Sequence, residues 1–140
     1  MKRLALLTIL GAIAQTIAPG VTLAQTPLPQ ANANGDYLQR TSHPTWVVVD
    51  PDPNGLNCRW SRQMPVEWYS PSAQLPRMDV VNWPVVRRFR SGTLLRANTT
   101  PAGFATMTDT RGLPWLKVSI GPNDQICLVR ANRRFIRPVQ

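Results

Sequence analysis

Short apolar runs, cut by glycine, proline, asparagine and aspartate, set the pattern of this chain and change too quickly for helices of any length. Trp46-Val47-Val48-Val49 is apolar and β-branched, which suits a buried strand. Asp50-Pro51-Asp52-Pro53-Asn54-Gly55 stops it, because proline lacks a backbone donor and Asn-Gly accepts a positive φ. Leu56–Trp60 then brings the chain back into structure.

The same alternation recurs downstream. Val85–Phe89 reads as a strand, Arg90–Thr93 as a tight turn, Thr93–Ala97 as a second strand and Asn98–Gly103 as a loop. Phe104–Thr108 follows, then a turn at Asp109–Gly112. In Trp115–Ile120 the period is two, with Leu116, Val118 and Ile120 on one face and Lys117 and Ser119 on the other. After Gly121–Asp124 come the strand Gln125–Arg130, one short helical turn at Ala131–Arg134, and a closing strand at Phe135–Val139. Turn residues at this spacing predict an all-β barrel or sandwich, and the small size favours a strongly bent barrel of about five to seven short strands over a full immunoglobulin-type sandwich.

Two stretches stand apart. Gln25–Thr45 is polar, contains three prolines and has few large apolar groups, so it reads as a flexible arm before a globular part at residues 46–140. Ser61–Pro84 is an insertion whose Pro65, Pro71, Pro76 and Pro84 forbid a long helix or a central strand. It nevertheless carries Trp68, Tyr69 and Trp83. Irregular segments of this length in small domains usually serve a function, which makes this one a candidate contact surface.

The N-terminus changes the setting. Lys2-Arg3, the apolar run Leu4–Ala18, the break at Pro19-Gly20 and the small-residue exit Thr22-Leu23-Ala24 form the pattern of a cleaved signal peptide over residues 1–24. An apolar run of about 15 residues falls short of the roughly 20 that a membrane span needs. The expected mature chain, Gln25–Gln140, is exported to the periplasm or the medium, with no stable membrane insertion. Loss of Lys2 and Arg3 from a chain of net charge +9 leaves +7, carried almost entirely by arginine. Arginine grips carboxylate and phosphate bidentately and stacks on rings, so an anionic partner fits. Export argues against nucleic acid. The bland alternative is a solvated basic surface.

Cys58 and Cys127 are the only cysteines, and export takes them to an oxidising compartment. A single disulfide is the expected outcome, with two buried free thiols or a pair of metal ligands as alternatives.

These landmarks resemble the bacterial SH3-like (SH3b) family of exported domains. Gly55-Leu56-Asn57-Cys58-Arg59 is similar to the family's glycine-leucine-asparagine-valine-arginine opening, with cysteine in place of valine. Phe89-Arg90-Ser91-Gly92-Thr93-Leu94-Leu95 resembles its turn into the distal strand, and Trp115-Leu116-Lys117-Val118 its tryptophan strand. Cys127-Leu128-Val129 stands where the closing tryptophan segment is usual, followed by Ala131-Asn132 and Phe135-Ile136. Both departures are cysteines, as a covalent link between the opening and closing strands would require. Modules of that family attach proteins to cell wall or accompany wall-degrading domains, so the resemblance implies a binding role. Fold alone does not assign that function.

Candidate chemistry is sparse. His43 is the only histidine and lies in the expected arm, so a Cys58–His43 dyad lacks both a supported base and a free thiol. Asp50-Pro-Asp52-Pro-Asn54-Gly55 matches half of a calcium loop, but Ser61 occupies the position that needs a bidentate glutamate. A turn held by side-chain-to-backbone hydrogen bonds is the better account. No catalytic residue, metal or cofactor is assigned. Arginine falls into two groups, Arg87, Arg88, Arg90, Arg96 and Arg130, Arg133, Arg134, Arg137. Trp68, Tyr69, Trp83, Arg88, Arg90, Arg133 and Arg134 are the candidate ligand-binding residues, rings beside cationic forks. The competing reading buries those tryptophans as core, where Trp46, Trp60 and Trp115 belong. The expected function is a non-catalytic binding module for an anionic envelope component such as peptidoglycan or acidic polysaccharide. A protein–protein adaptor or inhibitor that presents residues 61–84 to an exported partner is the alternative.

Overall fold

Trp46 and Val48 are withdrawn almost completely from solvent while Val47 and Val49 remain half-buried, so simple alternation organises the first strand. In the computed structural model of the chain, which describes residues 27–62, 64, 78–122 and 125–140, this strand is β1 (Thr45–Val48). It is followed by β2 (Leu56–Arg59), β3 (Val85–Phe89), β4 (Leu94–Arg96), β5 (Thr106–Thr108), β6 (Pro114–Ser119), β7 (Ile126–Arg130) and β8 (Ile136–Pro138). Among the described residues the only helical element is a 3-10 turn at Val80–Asn82.

All pairings are antiparallel. One sheet has three strands in the order β4-β1-β8, the other five in the order β3-β2-β7-β6-β5. The expected all-β class is present, with one strand beyond the expected range, but the two sheets do not close into a barrel through continuous ladders. The chain passes β4 and meets the second sheet only at an isolated bridge between Ala97 and Val118, next to the Asn98 N–H donating to the Lys117 carbonyl at 2.8 Å. Asn98-Thr99-Thr100-Pro101 then turns away before a longer ladder forms.

Strand β6 carries apolar groups on both faces, and two clusters cover them. Leu116 and Val118 pack with Trp46, Val48, Leu95, Val129 and Ile136 in the main core. Trp115 points the other way and joins Leu128, Met64, Met78, Val80 and Trp83. The ends of the 61–84 insertion thus lie over the sheet's other face. β2 and β3 pair directly, so the insertion is the long loop of a hairpin. Its two ends are clasped, with the Trp60 N–H donating to the Pro84 carbonyl at 3.1 Å and Arg59 to the Trp83 carbonyl at 2.7 Å. Residues 63 and 65–77 of that loop lie outside the described residues, as does the expected signal peptide.

The expected flexible arm is packed from residue 27 onward. Tyr37 is only 5% exposed and meets Trp46 edge-on, with ring centroids 4.9 Å apart. Asp36 accepts Arg130 at 2.8 Å and Asn132 at 2.7 Å, and it bridges Asn132 through the backbone. A segment with little apolar surface can still order when one large ring is buried and its carboxylate finds a partly buried partner.

Cys58 and Cys127 are disulfide-bonded with Cα atoms 5.5 Å apart, and both are fully buried on the adjacent central strands β2 and β7. The free-thiol and metal-ligand alternatives are thereby excluded. The bond closes a 69-residue loop. Such a loop contributes ~4 kcal/mol on the chain-entropy account. Reduction, or the Cys58→Ala/Cys127→Ala double substitution, should lower the denaturation free energy by about that amount, measured as a shift in the denaturant midpoint.

Gly55 is the second constraint on β2. Its φ is +85°, and a Cβ there would sit 2.7 Å from the Phe89 carbonyl oxygen. Gly92 has a φ of +86° with open space around it. Gly92→Ala should cost about 1–2 kcal/mol from backbone strain alone. Gly55→Ala should cost more, because the β2–β3 ladder must shift as well; paired thermal melts of the two variants measure the difference.

Candidate functional site

A cleft of about 640 Å³ opens where the Asp50–Gly55 turn, the start of β2 and the turn before β8 meet. Its walls include Leu56, Asn57, Val81, Trp115 and Phe135, together with Asp50, Asp52, Arg59, Arg130 and Arg134. The β2 side chains reach it because the turn ends abruptly at Gly55.

Most of its charged groups are already engaged. Asp50 Oδ1 accepts the Asp52 N–H at 2.9 Å, and Asp52 Oδ1 accepts the Asn54 N–H at 2.8 Å and Nδ2 at 3.1 Å. These are the side-chain-to-backbone bonds expected of a proline-rich turn. Arg59 holds the end of the insertion. Arg130 donates to the Pro114 carbonyl at 2.8 Å and pairs with Asp36. Arg134 is different: it is exposed, its guanidinium lies 5.9 Å from the Phe135 ring centroid, and it has no carboxylate partner among the described residues.

The candidate ligand-binding residues divide as follows. Arg134 lines the cleft, and Arg88 reaches its wall by donating from Nε to Asn57 Oδ1 at 3.0 Å. Arg90 is exposed in the β3–β4 turn and does not line it. Arg133 belongs elsewhere: its N–H donates to the Gly35 carbonyl at 2.7 Å, and its side chain lines a separate groove. Trp83 is core, 6% exposed beneath the insertion. Trp115, assigned to the core, also shows an edge to the cleft, and its Nε1 donates to the buried Asp109 Oδ2 at 2.9 Å. Trp60 is only partly buried, between the two clusters. Trp68 and Tyr69 lie outside the described residues.

Phe135 and Trp115 are the cleft rings that the sequence did not single out as ligand contacts. Phe135 directly follows the arginine pair 133–134, and that adjacency was the available clue.

His43, expected without support, is in fact fixed: Nε2 donates to the Val139 carbonyl at 2.9 Å and the ring meets Trp46 edge-on. Its proposed partner Cys58 has its sulfur in the disulfide.

The chain is thus an all-β, disulfide-linked domain with a mixed-charge, ring-lined cleft. Compared with known proteins, it matches no family model, no curated protein and no solved structure.

Lys117 gives a pH signature. It is fully buried, its Nζ donates to the Thr100 carbonyl, and burial lowers its pKa to about 8 from 10.5. The unfolded chain therefore holds this proton at pH values where the folded chain has released it, and stability from this group rises with pH between 8 and 10.5. Burial raises the Tyr37 pKa above 10.0, which opposes the trend once the unfolded phenol ionises. Denaturant midpoints should rise from pH 8 towards pH 10, and Lys117→Met should flatten that rise.

Proposed function

We propose that this protein is a non-catalytic, exported SH3-like module whose cleft binds an anionic component of the cell envelope, such as peptidoglycan or an acidic polysaccharide. The observation that carries the reading is the exposed Arg134 guanidinium set beside the Phe135 ring in a cleft of about 640 Å³. A guanidinium beside a ring suits a sugar-borne or peptide carboxylate, which takes the fork while the ring receives an apolar face. Arg88, held at the Asn57 wall, extends the positive rim. The Asp50 and Asp52 carboxylates face the turn they hold together, which limits their repulsion of an anion.

Three further observations support the wider assignment. The Ala97–Val118 bridge brings one strand's continuation onto both sheets, as a bent barrel demands. The disulfide suits an oxidising compartment, in agreement with the basic, apolar and small-residue order of the N-terminus. No described helix is long and apolar enough to cross a membrane. The adaptor reading loses one of its three rings, because Trp83 is core.

Retention on purified cell wall at two salt concentrations tests the proposal. Binding should weaken steeply as ionic strength rises, and Arg134→Gln should lower the affinity about tenfold. No retention at low salt would overturn it. Retention indifferent to salt and abolished by shortening residues 65–77 would favour the adaptor reading instead.

A further inference from the structure

A second groove, of about 340 Å³, lies apart from the cleft, and its lining contains no acidic residue. Tyr37, Arg133 and Arg137 line it between Leu28 and Pro29 on one side and Pro138 on the other. We propose that this groove is an oxyanion site that takes the carboxylate or phosphate group of a ligand in the fork of Arg133 and Arg137, with the Tyr37 hydroxyl as a third donor.

Three observations carry the assignment. Tyr37 is 95% withdrawn from solvent but lines the groove, and its hydroxyl, which makes no hydrogen bond among the described residues, is open to solvent there. An open hydroxyl on the groove wall is free to donate to an acceptor that displaces water there. Neither Arg133 nor Arg137 has a carboxylate partner among the described residues, where the ion pairs are Arg111–Asp79 and Arg130–Asp36. Both arginines are also held on ordered backbone. The Arg133 N–H donates to Gly35 and its stem lies over that glycine, where a Cβ would come within 2.9 Å of Cγ. Arg137 stands opposite Val47 in the β1–β8 ladder. Two forks on fixed backbone lose less freedom on binding than two on a loop. Unlike the cleft, the groove presents positive charge with no carboxylate beside it.

Titration of the full mature chain with inorganic phosphate and, separately, with glucuronate tests this, followed by the amide and tyrosine ring resonances of residues 35–37 and 133–137. Saturable binding of either probe supports the site, and the better probe identifies the source of the oxyanion. Arg133→Gln and Arg137→Gln should each weaken that binding about tenfold, and Tyr37→Phe, which removes only the hydroxyl, about fivefold. Arg87→Gln removes the same charge from β3, the edge strand of the other sheet, and should change little. Equal losses in all four variants would show a diffuse charge effect and overturn the proposal, as would the absence of saturation by both probes. The cleft residues are untouched by these variants, so wall retention and phosphate binding can fail independently.

Discussion

The disulfide between β2 and β7 sets the geometry on which the remainder of the domain rests. It joins neighbouring strands at the centre of the five-stranded sheet, fully buried, and so fixes the strand from which the long insertion departs. Because β3 pairs back onto β2, the insertion's entry and exit are held side by side by Trp60–Pro84 and Arg59–Trp83. Bringing the ends of a long loop together carries a closure-entropy cost. Here that cost is met by a covalently anchored strand, and the loop's ends can then bury Met64, Met78, Val80 and Trp83 against Trp115 and Leu128. Trp115 on β6 is thereby covered, and Lys117, also buried, has its Nζ turned to the Thr100 carbonyl in the loop after β4.

Polar groups at the sheet margins perform the same tying function elsewhere. Asp109 accepts the Arg111 and Leu113 N–H groups and the Trp115 ring nitrogen, fixing the turn before β6 and the ring that forms part of the cleft. Asp36, Arg130 and Asn132 close the N-terminal segment onto the end of β7. Each is a partly or fully buried charge or amide with its partners in place, and removing one member would strand the others.

The strands were legible in the sequence because apolar runs and turn residues report local geometry directly. Val85–Phe89 is reproduced residue for residue, and Trp46–Val49, Leu56–Trp60 and Gln125–Arg130 shift or shorten by one or two positions. The order of those strands in two sheets was not legible, since period-two alternation says which face is buried but not which neighbour it meets. The arm was misread for a related reason: Tyr37 is one ring in a polar stretch, and its burial depends on Trp46 and on a carboxylate–arginine pair 94 residues apart in sequence. Lys117 was assigned to a face by alternation, and alternation carries no information about a loop folding over that face. Arg133 and Arg134 were grouped because they are adjacent. Adjacent residues at a tight turn diverge, and the structure sends them to different concavities.

That divergence bears on how a strongly basic chain can stay selective. Arg59, Arg87, Arg111 and Arg130 donate to backbone carbonyls or carboxylates within the fold, so much of the positive charge serves as internal fastening. The guanidinia left for partners are fewer and divided by setting. Arg134 stands beside a ring and near two turn-bound carboxylates, whereas Arg133 and Arg137 stand with a phenol and no acid. A long-range positive potential would draw anions to either face alike and would be screened by salt. Discrimination between them must therefore arise at contact, from the ring in one concavity and the hydroxyl in the other, which is where two arginine sites of the same charge differ in the partners they accept.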